Sequence, residues 1–184
     1  MLVTMTAGGR LEGALYIASP NFDSRPPGTV IDTLVIHAMS LPPGEYGGKD
    51  IEQLFCNQLK NDTHSFYSEI AGLKVSAHLL IRRDGQVIQF VPFQERAWHA
   101  GVSELQGRTR VNDFSIGIEL EGSDYSPFED AQYMALAVVT RALCVAYPQI
   151  TPDRIVGHID IAPERKRDPG PYFNWRRYRE GLAA

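Results

Sequence analysis

The chain reads as an α/β or α+β protein of strands covered by helices, and three stretches of sequence predict this. A β-branched run, Val30-Ile31-Asp32-Thr33-Leu34-Val35-Ile36-His37, predicts a buried strand that ends at a histidine. The segment FSIGIELE at 114–121 alternates: Phe114, Ile116, Ile118 and Leu120 share one face, with Ser115, Gly117, Glu119 and Glu121 on the other. From Pro127 to Tyr147, the residues Tyr133, Leu136, Ala137, Thr140, Leu143, Cys144 and Tyr147 recur at helical spacing. Ser126 and Glu129 predict a capping box for that helix, Pro127 its first position and Pro148 its end.

The other elements follow along the chain. Leu41-Pro42-Pro43-Gly44 breaks the chain after the first strand, and a helix is expected over Asp50 to Leu59. His78 to Arg82 and Gln86 to Val91 are apolar strands on either side of Asp84-Gly85, a hairpin signal. A short strand, Ile155 to Gly157, leads into His158, and Asn174 can cap a final helix from Trp175 to Leu182. The connection from Ser40 to Lys74 is long, and connections of that length often serve as lids. With no repeat and no linker, residues 1–184 read as one domain, with 1–12 a loosely ordered extension.

Composition narrows the function. At 184 residues and 43% hydrophobic, the chain can bury a substantial core. A net charge of −4 argues against a general nucleic-acid binder, which needs a broad basic surface. The N-terminus has no charged segment leading into an apolar stretch, and no apolar run approaches membrane-spanning length. No membrane partner is expected. Cys56 and Cys144 are far apart and form no C-x-x-C pair, so reduced thiols in the cytoplasm are the default.

Three side chains suggest a metal site: His37 ending one strand, His158 following another, and Asp168 ten residues on. A catalytic zinc needs three protein ligands and an open position for water, and two imidazoles with one carboxylate suit it. With five histidines and many acids, spacing alone offers other triads too. Glu119 and Glu121 are both candidate bases, because they point the same way from one strand; the same pattern also fits a plainly solvated face. Lys166 lies two residues before Asp168, where it could stabilise an oxyanion, although Arg165-Lys166-Arg167 also reads as an ordinary charged run. His99, beside Trp98, reads as a cleft-lining residue and not as a ligand; His78 reads as a structural hydrogen-bond partner.

Taken in order, these pieces resemble the AmpD-type cytoplasmic anhydro-N-acetylmuramyl-L-alanine amidases. The resemblance rests on SPNFDSRP (19–26), LVIH (34–37), SLPPGEYGG (40–48), VSAHLLIRRDG (75–85) and RAWHAGVS (96–103). It continues through GRTRVNDFSIGIELEG (107–122), DAQY (130–133) and GHIDIAPERKRDPG (157–170), nearly the whole chain. It implies a mixed central β-sheet flanked by helices, as in the wider amidase and peptidoglycan-recognition superfamily. It also implies one catalytic Zn2+ held by His37, His158 and Asp168, with Glu119 rather than Glu121 as the acid-base group and Lys166 as the oxyanion-stabilising group. The implied substrate is a small muropeptide met in cell-wall recycling, a process that also lowers the signals inducing β-lactamase in some bacteria. A monomer is the favoured state.

For the substrate, the resemblance points to Trp98 packing against sugar or peptide, Arg110 meeting a stem carboxylate, and Ala162 lining the pocket by its backbone. Ala38, where asparagine is expected, and Lys74, where arginine is expected, depart from the family pattern and touch binding rather than chemistry. Two alternatives use the same fold: a muropeptide-binding protein without catalysis, and a lysin acting on intact murein. A serine or cysteine hydrolase is disfavoured, because no G-x-S-x-G occurs and neither cysteine has an identifiable partner.

Overall fold

The computed structural model describes residues 4–60, 62 and 64–183. Its first elements are β1 (Leu15–Tyr16), β2 (Phe22–Ser24), β3 (Thr33–Met39), α1 (Asp50–Phe55) and α2 (Tyr67–Ile70). Next come β4 (Leu79–Ile81), β5 (Val87–Gln89), β6 (Glu95–Ala97), β7 (Glu104–Leu105) and β8 (Arg108–Thr109). Last are β9 (Ser115–Glu121), α3 (Asp130–Ala146), β10 (Ile155–Gly157), α4 (His158–Ile161) and α5 (Trp175–Ala183). Among the described residues, six strands form one sheet in the order β1-β5-β4-β9-β3-β10. β4, β9, β3 and β10 are parallel, β5 is antiparallel to β4, and β1 is parallel to β5. The sheet is mixed and flanked by helices, as the resemblance implied.

The centre of the sheet is β9 between β3 and β4, and both of its faces are buried. Leu34, Ile36, Ile116, Ile118 and Leu120 face the side covered by α3 and α5, where Leu136, Val139, Leu143 and Tyr178 complete the core. The alternation of 114–121 therefore holds, but its polar side is not a solvated face. Glu121 is 2% exposed; its Oε1 accepts from Arg82 Nη1 at 2.8 Å and from the Gly47 amide at 2.6 Å. Arg82 also donates to Glu52 Oε1 and to the Gly48 carbonyl, tying the 47–52 segment to the sheet. Removing the arginine would strand a buried carboxylate. Arg82→Leu is therefore expected to lower the unfolding free energy by about 3–5 kcal/mol. A urea midpoint unchanged from the parent would show that the network is dispensable.

Two helix boundaries differ from expectation. The long helix starts at Asp130, capped by Glu129, whose amide donates to Gln132 Oε1 at 3.1 Å. Ser126 is not the cap, because its hydroxyl is engaged with Tyr46 at 2.7 Å and Ser123 at 3.2 Å, while Phe128 turns into the core. The helix expected to reach Leu59 stops at Phe55, since Asn57 takes φ +57 and pairs its side chain with Asn21 at 2.9 Å in both directions. The expected hairpin is present, with Gly85 at φ +86, where a Cβ would meet Ala131. Asn174 caps the last helix, its Oδ1 accepting from the Arg177 amide at 2.9 Å.

The long connection after β3 is not a bare loop. Its Leu41, Ile51, Leu54, Phe55, Leu59 and Tyr67 pack on Leu80 and Ile88 of the sheet's other face and on Phe90 just beyond β5, forming a second apolar cluster. Residues 1–3 of the N-terminal extension lie outside the described residues. From Thr4 the chain turns back: Met5 bridges Leu11, and Leu11 is 5% exposed with its amide donating to Gln89 Oε1 at 2.7 Å.

Candidate metal centre and cleft

Strand register assembles the site. β3 and β9 pair His37 with Glu119, so the two side chains stand side by side on one face, toward the carboxyl ends of the parallel strands. β10 pairs with β3 through Gly157 and Ile36, which places His158, the next residue, beside His37. Asp168 is brought back by its own carbonyl, which accepts from the Ile159 amide at 3.0 Å. In open sheets of this kind, ligands bind beyond the carboxyl ends of the strands. A cleft of about 530 Å3 lies there, lined among others by Ala38, Trp98, His99, Glu119, His158, Lys166 and Asp168.

Three donor atoms converge in it. His37 Nδ1 and His158 Nδ1 are 2.9 Å apart, and Asp168 Oδ2 lies 3.2 Å from the first and 3.0 Å from the second. Two imidazole lone pairs facing each other at that distance repel unless a cation lies between them. Tetrahedral zinc with arms of about 2.0–2.1 Å sets its donors about 3.3 Å apart, so this triangle fits. His37, His158 and Asp168 form a group that could hold a metal ion. Glu119 supplies the second half of the fit: its Oε2 is buried without a hydrogen-bond partner, an acceptor aimed at nothing the chain itself provides.

The electrostatics divide the acids. Burial, reinforced by the Asp168 carboxylate, pushes the Glu119 carboxyl well above its usual range, with Lys166 opposing. Burial works to raise Asp168 as well, but the His158 and His37 rings against its Oδ2 hold its carboxyl well below the usual range. Burial lowers His37 to about 4, against the pull of the Asp168 carboxylate, so at neutral pH it offers a neutral, ligating ring. His78 is buried and lowered to about 3 by burial and Arg25. It is structural as expected: its Nδ1 accepts from the Gly117 amide at 3.0 Å, while Nε2 faces the Glu95 carbonyl at 3.1 Å.

The sequence-predicted binding residues do not all gather here. Trp98 lines the cleft with its indole fixed, Nε1 donating to Asp23 Oδ1 at 3.1 Å. Ala38 lines it beside His37, and Lys166 lines it half-buried. Arg110 lies outside the lining, its guanidinium exposed and paired with Asp113 at 3.2 Å. Lys74 is exposed, between Leu73 and Val75, which do line the cleft. Ala162 is buried with its carbonyl taken by the Arg165 and Lys166 amides, which leaves no free backbone for a ligand. The apolar wall comes instead from Leu41, Leu54, Phe55, Phe66, Ile70 and Leu73 of the long connection, residues that the sequence analysis singled out only as part of a lid.

This sheet carries, at its strand ends, two histidines and an aspartate that could hold a metal ion, beside an unpartnered glutamate, and this defines an amidase class of site. The chain belongs to the N-acetylmuramoyl-L-alanine amidase family, whose sequence profile matches residues 27–171. It is 57% identical over 171 residues to the 1,6-anhydro-N-acetylmuramyl-L-alanine amidase AmpD of Escherichia coli strain K12, covering 93% of each chain. A crystal structure of a selenomethionyl AmpD superposes with a TM-score of 0.94 at 52% identity, over 97% of this chain and 99% of that one. More distant, at 29% identity and a TM-score of 0.61, is E. coli AmiD in complex with anhydro-N-acetylmuramic acid-L-Ala-D-γ-Glu-L-Lys. That match covers 98% of this chain and 65% of AmiD. The protein is an enzyme that hydrolyses the amide between a muramyl group and L-alanine.

Proposed function

We propose that His37, His158 and Asp168 hold one catalytic Zn2+, and that the substrate is a soluble anhydromuropeptide met in the cytoplasm during cell-wall recycling. The observation that carries this is the triangle of donor atoms, each about 3 Å from the next, beside the orphaned Glu119 Oε2. The AmiD complex supports the ligand class, and the AmpD relatives support the anhydro sugar. No helix among the described residues is long and apolar enough to cross a membrane.

Zinc bound there supplies a Lewis acid that polarises a carbonyl and acidifies a water. Glu119 takes the proton of the attacking water on its free oxygen. A cation beside it would offset the burial that raises its pKa, leaving Glu119 ionised to take that proton and then pass it to the L-alanine nitrogen as the C–N bond breaks. Lys166, facing the same cleft, stabilises the negative charge that grows on the lactyl carbonyl oxygen. Trp98, held by Asp23, presents a fixed face to the sugar or peptide. All three donors are present together with a base, which favours catalysis over binding alone.

Protein purified without chelator is expected to carry about one zinc per chain and to release peptide from anhydromuramyl substrates. Stripping the metal should abolish release, and zinc should restore it. Reducing muramyl peptides and intact sacculi, assayed alongside, should be cut more slowly. Undiminished hydrolysis after the metal is removed would sink the metal reading; preference for sacculi would sink the recycling one.

Ala38 offers no side-chain hydrogen bond at the cleft wall. Ala38→Asn is expected to lower KM about fivefold, the effect of one added hydrogen bond of about 1 kcal/mol, with kcat little changed. Unchanged KM would show that this position does not touch substrate.

A further inference from the structure

Behind His37, away from the donor triangle, lies a chain of three hydrogen bonds that ends on a backbone carbonyl. His37 Nε2 is 2.9 Å from His99 Nδ1, His99 Nε2 is 3.1 Å from Ser115 Oγ, and Ser115 Oγ donates to the Val111 carbonyl at 2.7 Å. We infer that His99 and Ser115 are positioning residues that fix the tautomer and ring angle of His37, so that its Nδ1 lone pair faces the metal site. The inference rests on the zinc reading above and deepens it.

The direction of the chain follows from its last member. A carbonyl oxygen only accepts, so the Ser115 hydroxyl hydrogen is committed to Val111. The serine then presents a lone pair to His99 Nε2, which must carry the hydrogen. His99 Nδ1 is left as an acceptor, and His37 Nε2–H donates to it. His37 Nδ1 is thereby free of hydrogen. His158 reaches the same state more directly, with its Nε2 facing the Ala100 carbonyl at 3.4 Å. The partner of a ligand's second ring nitrogen sets the ligand's tautomer and basicity. The two ligand histidines are thus set by different devices: one by a carbonyl, the other by a polar relay two side chains long.

The fold makes room for this relay. A Cβ at Gly117 would lie 2.5 Å from the His99 ring, so only glycine at the middle of β9 lets the imidazole reach back to His37. Glycine weakens a strand interior and marks the close approach of another group. Here that group is His99. Its own backbone is pinned too, the His99 and Ala100 amides both donating to Asn112 Oδ1 at 3.1 and 2.8 Å.

Zinc affinity, read by competition with a chromophoric chelator, and the ring tautomer of His99, read by nitrogen-15 NMR, test this. His99→Phe keeps a ring but no acceptor, and should bind zinc about 10–100-fold more weakly than the parent. His99→Asn places an amide oxygen near the former Nδ1 and should recover most of that loss, which a purely space-filling role would not allow. In the unsubstituted protein, His99 should carry its hydrogen on Nε2. Parent-like zinc affinity in folded His99→Phe, or an Nδ1–H tautomer at His99, overturns the relay. If His99→Phe does not fold, Ser115→Ala and the tautomer spectrum decide alone, with parent-like zinc affinity in Ser115→Ala also counting against the relay. Failure of the unsubstituted protein to take up zinc would overturn the metal reading instead, and the tautomer measurement would still judge the relay.

Discussion

Glu119→Gln is expected to lower kcat by about 10²–10⁴-fold, the usual contribution of a positioned acid-base group, while zinc content stays at the parent value. Glutamine preserves the shape of the side chain but can neither take nor return a proton. The same substitution should make the metal-free protein more stable at neutral pH. The folded-state pKa of Glu119 is raised, chiefly by burial and then by Asp168, so the folded protein holds a proton that the unfolded chain has released. In the window between the ordinary carboxylate pKa and the raised one, stability therefore falls as pH rises. Glutamine takes up no proton on folding, so this cost disappears, a gain of about tenfold in the folding constant for each pH unit within that window. Turnover at saturating substrate, with thermal melts from pH 4 to 8, checks both halves. A glutamine variant that turns over like the parent would remove Glu119 from the chemistry.

The second large effect is at Asp168. Asp168→Ala is expected to lose zinc on dialysis and to fall to background hydrolysis. The drop in zinc affinity should exceed the about 10–100-fold that follows loss of an outer-shell partner. The fold also holds the carboxylate in its ionised form, which contributes stability, so the metal-free variant should melt lower than the metal-free parent at pH 7. Its folded pKa is depressed, so that stabilisation is complete above the ordinary aspartate range and is lost as pH falls through the folded value. The two melting curves should therefore converge in acid. Full zinc occupancy in the purified variant would exclude Asp168 as a ligand.

Much of this architecture is legible in the sequence where the cause is local. The β-branched run through His37 is a strand, Ile155 to Gly157 is a strand, and Asp84-Gly85 turns a hairpin, because each depends on residues a few positions apart. Ser126 misled because its hydroxyl is drawn to Tyr46, 80 residues away, so the cap fell to Glu129. Alternation could not tell Glu119 from Glu121; their lateral neighbours set them in different surroundings. One stands opposite His37 with a free oxygen, while the other is neutralised by Arg82. The sequence places His99 at the cleft, but its contact with His37 depends on residues from three separate segments. The sequence did hold one unread sign of it: Gly117, a lone glycine inside an apolar strand.

The pairing of His37 with Glu119 across adjacent strands has a bearing on how such an enzyme can be altered. Their separation is inherited from the inter-strand spacing of about 4.8 Å, a constant of the hydrogen-bond ladder that no loop exchange can stretch. The apolar wall of the cleft comes from a different place, the 40–74 excursion with its own small core. The strand ladder that sets the site and the excursion that walls much of the cleft are thus separate parts of the chain. Grafting another excursion onto the same four parallel strands should change which muropeptides are accepted while the bond that is cut stays the same.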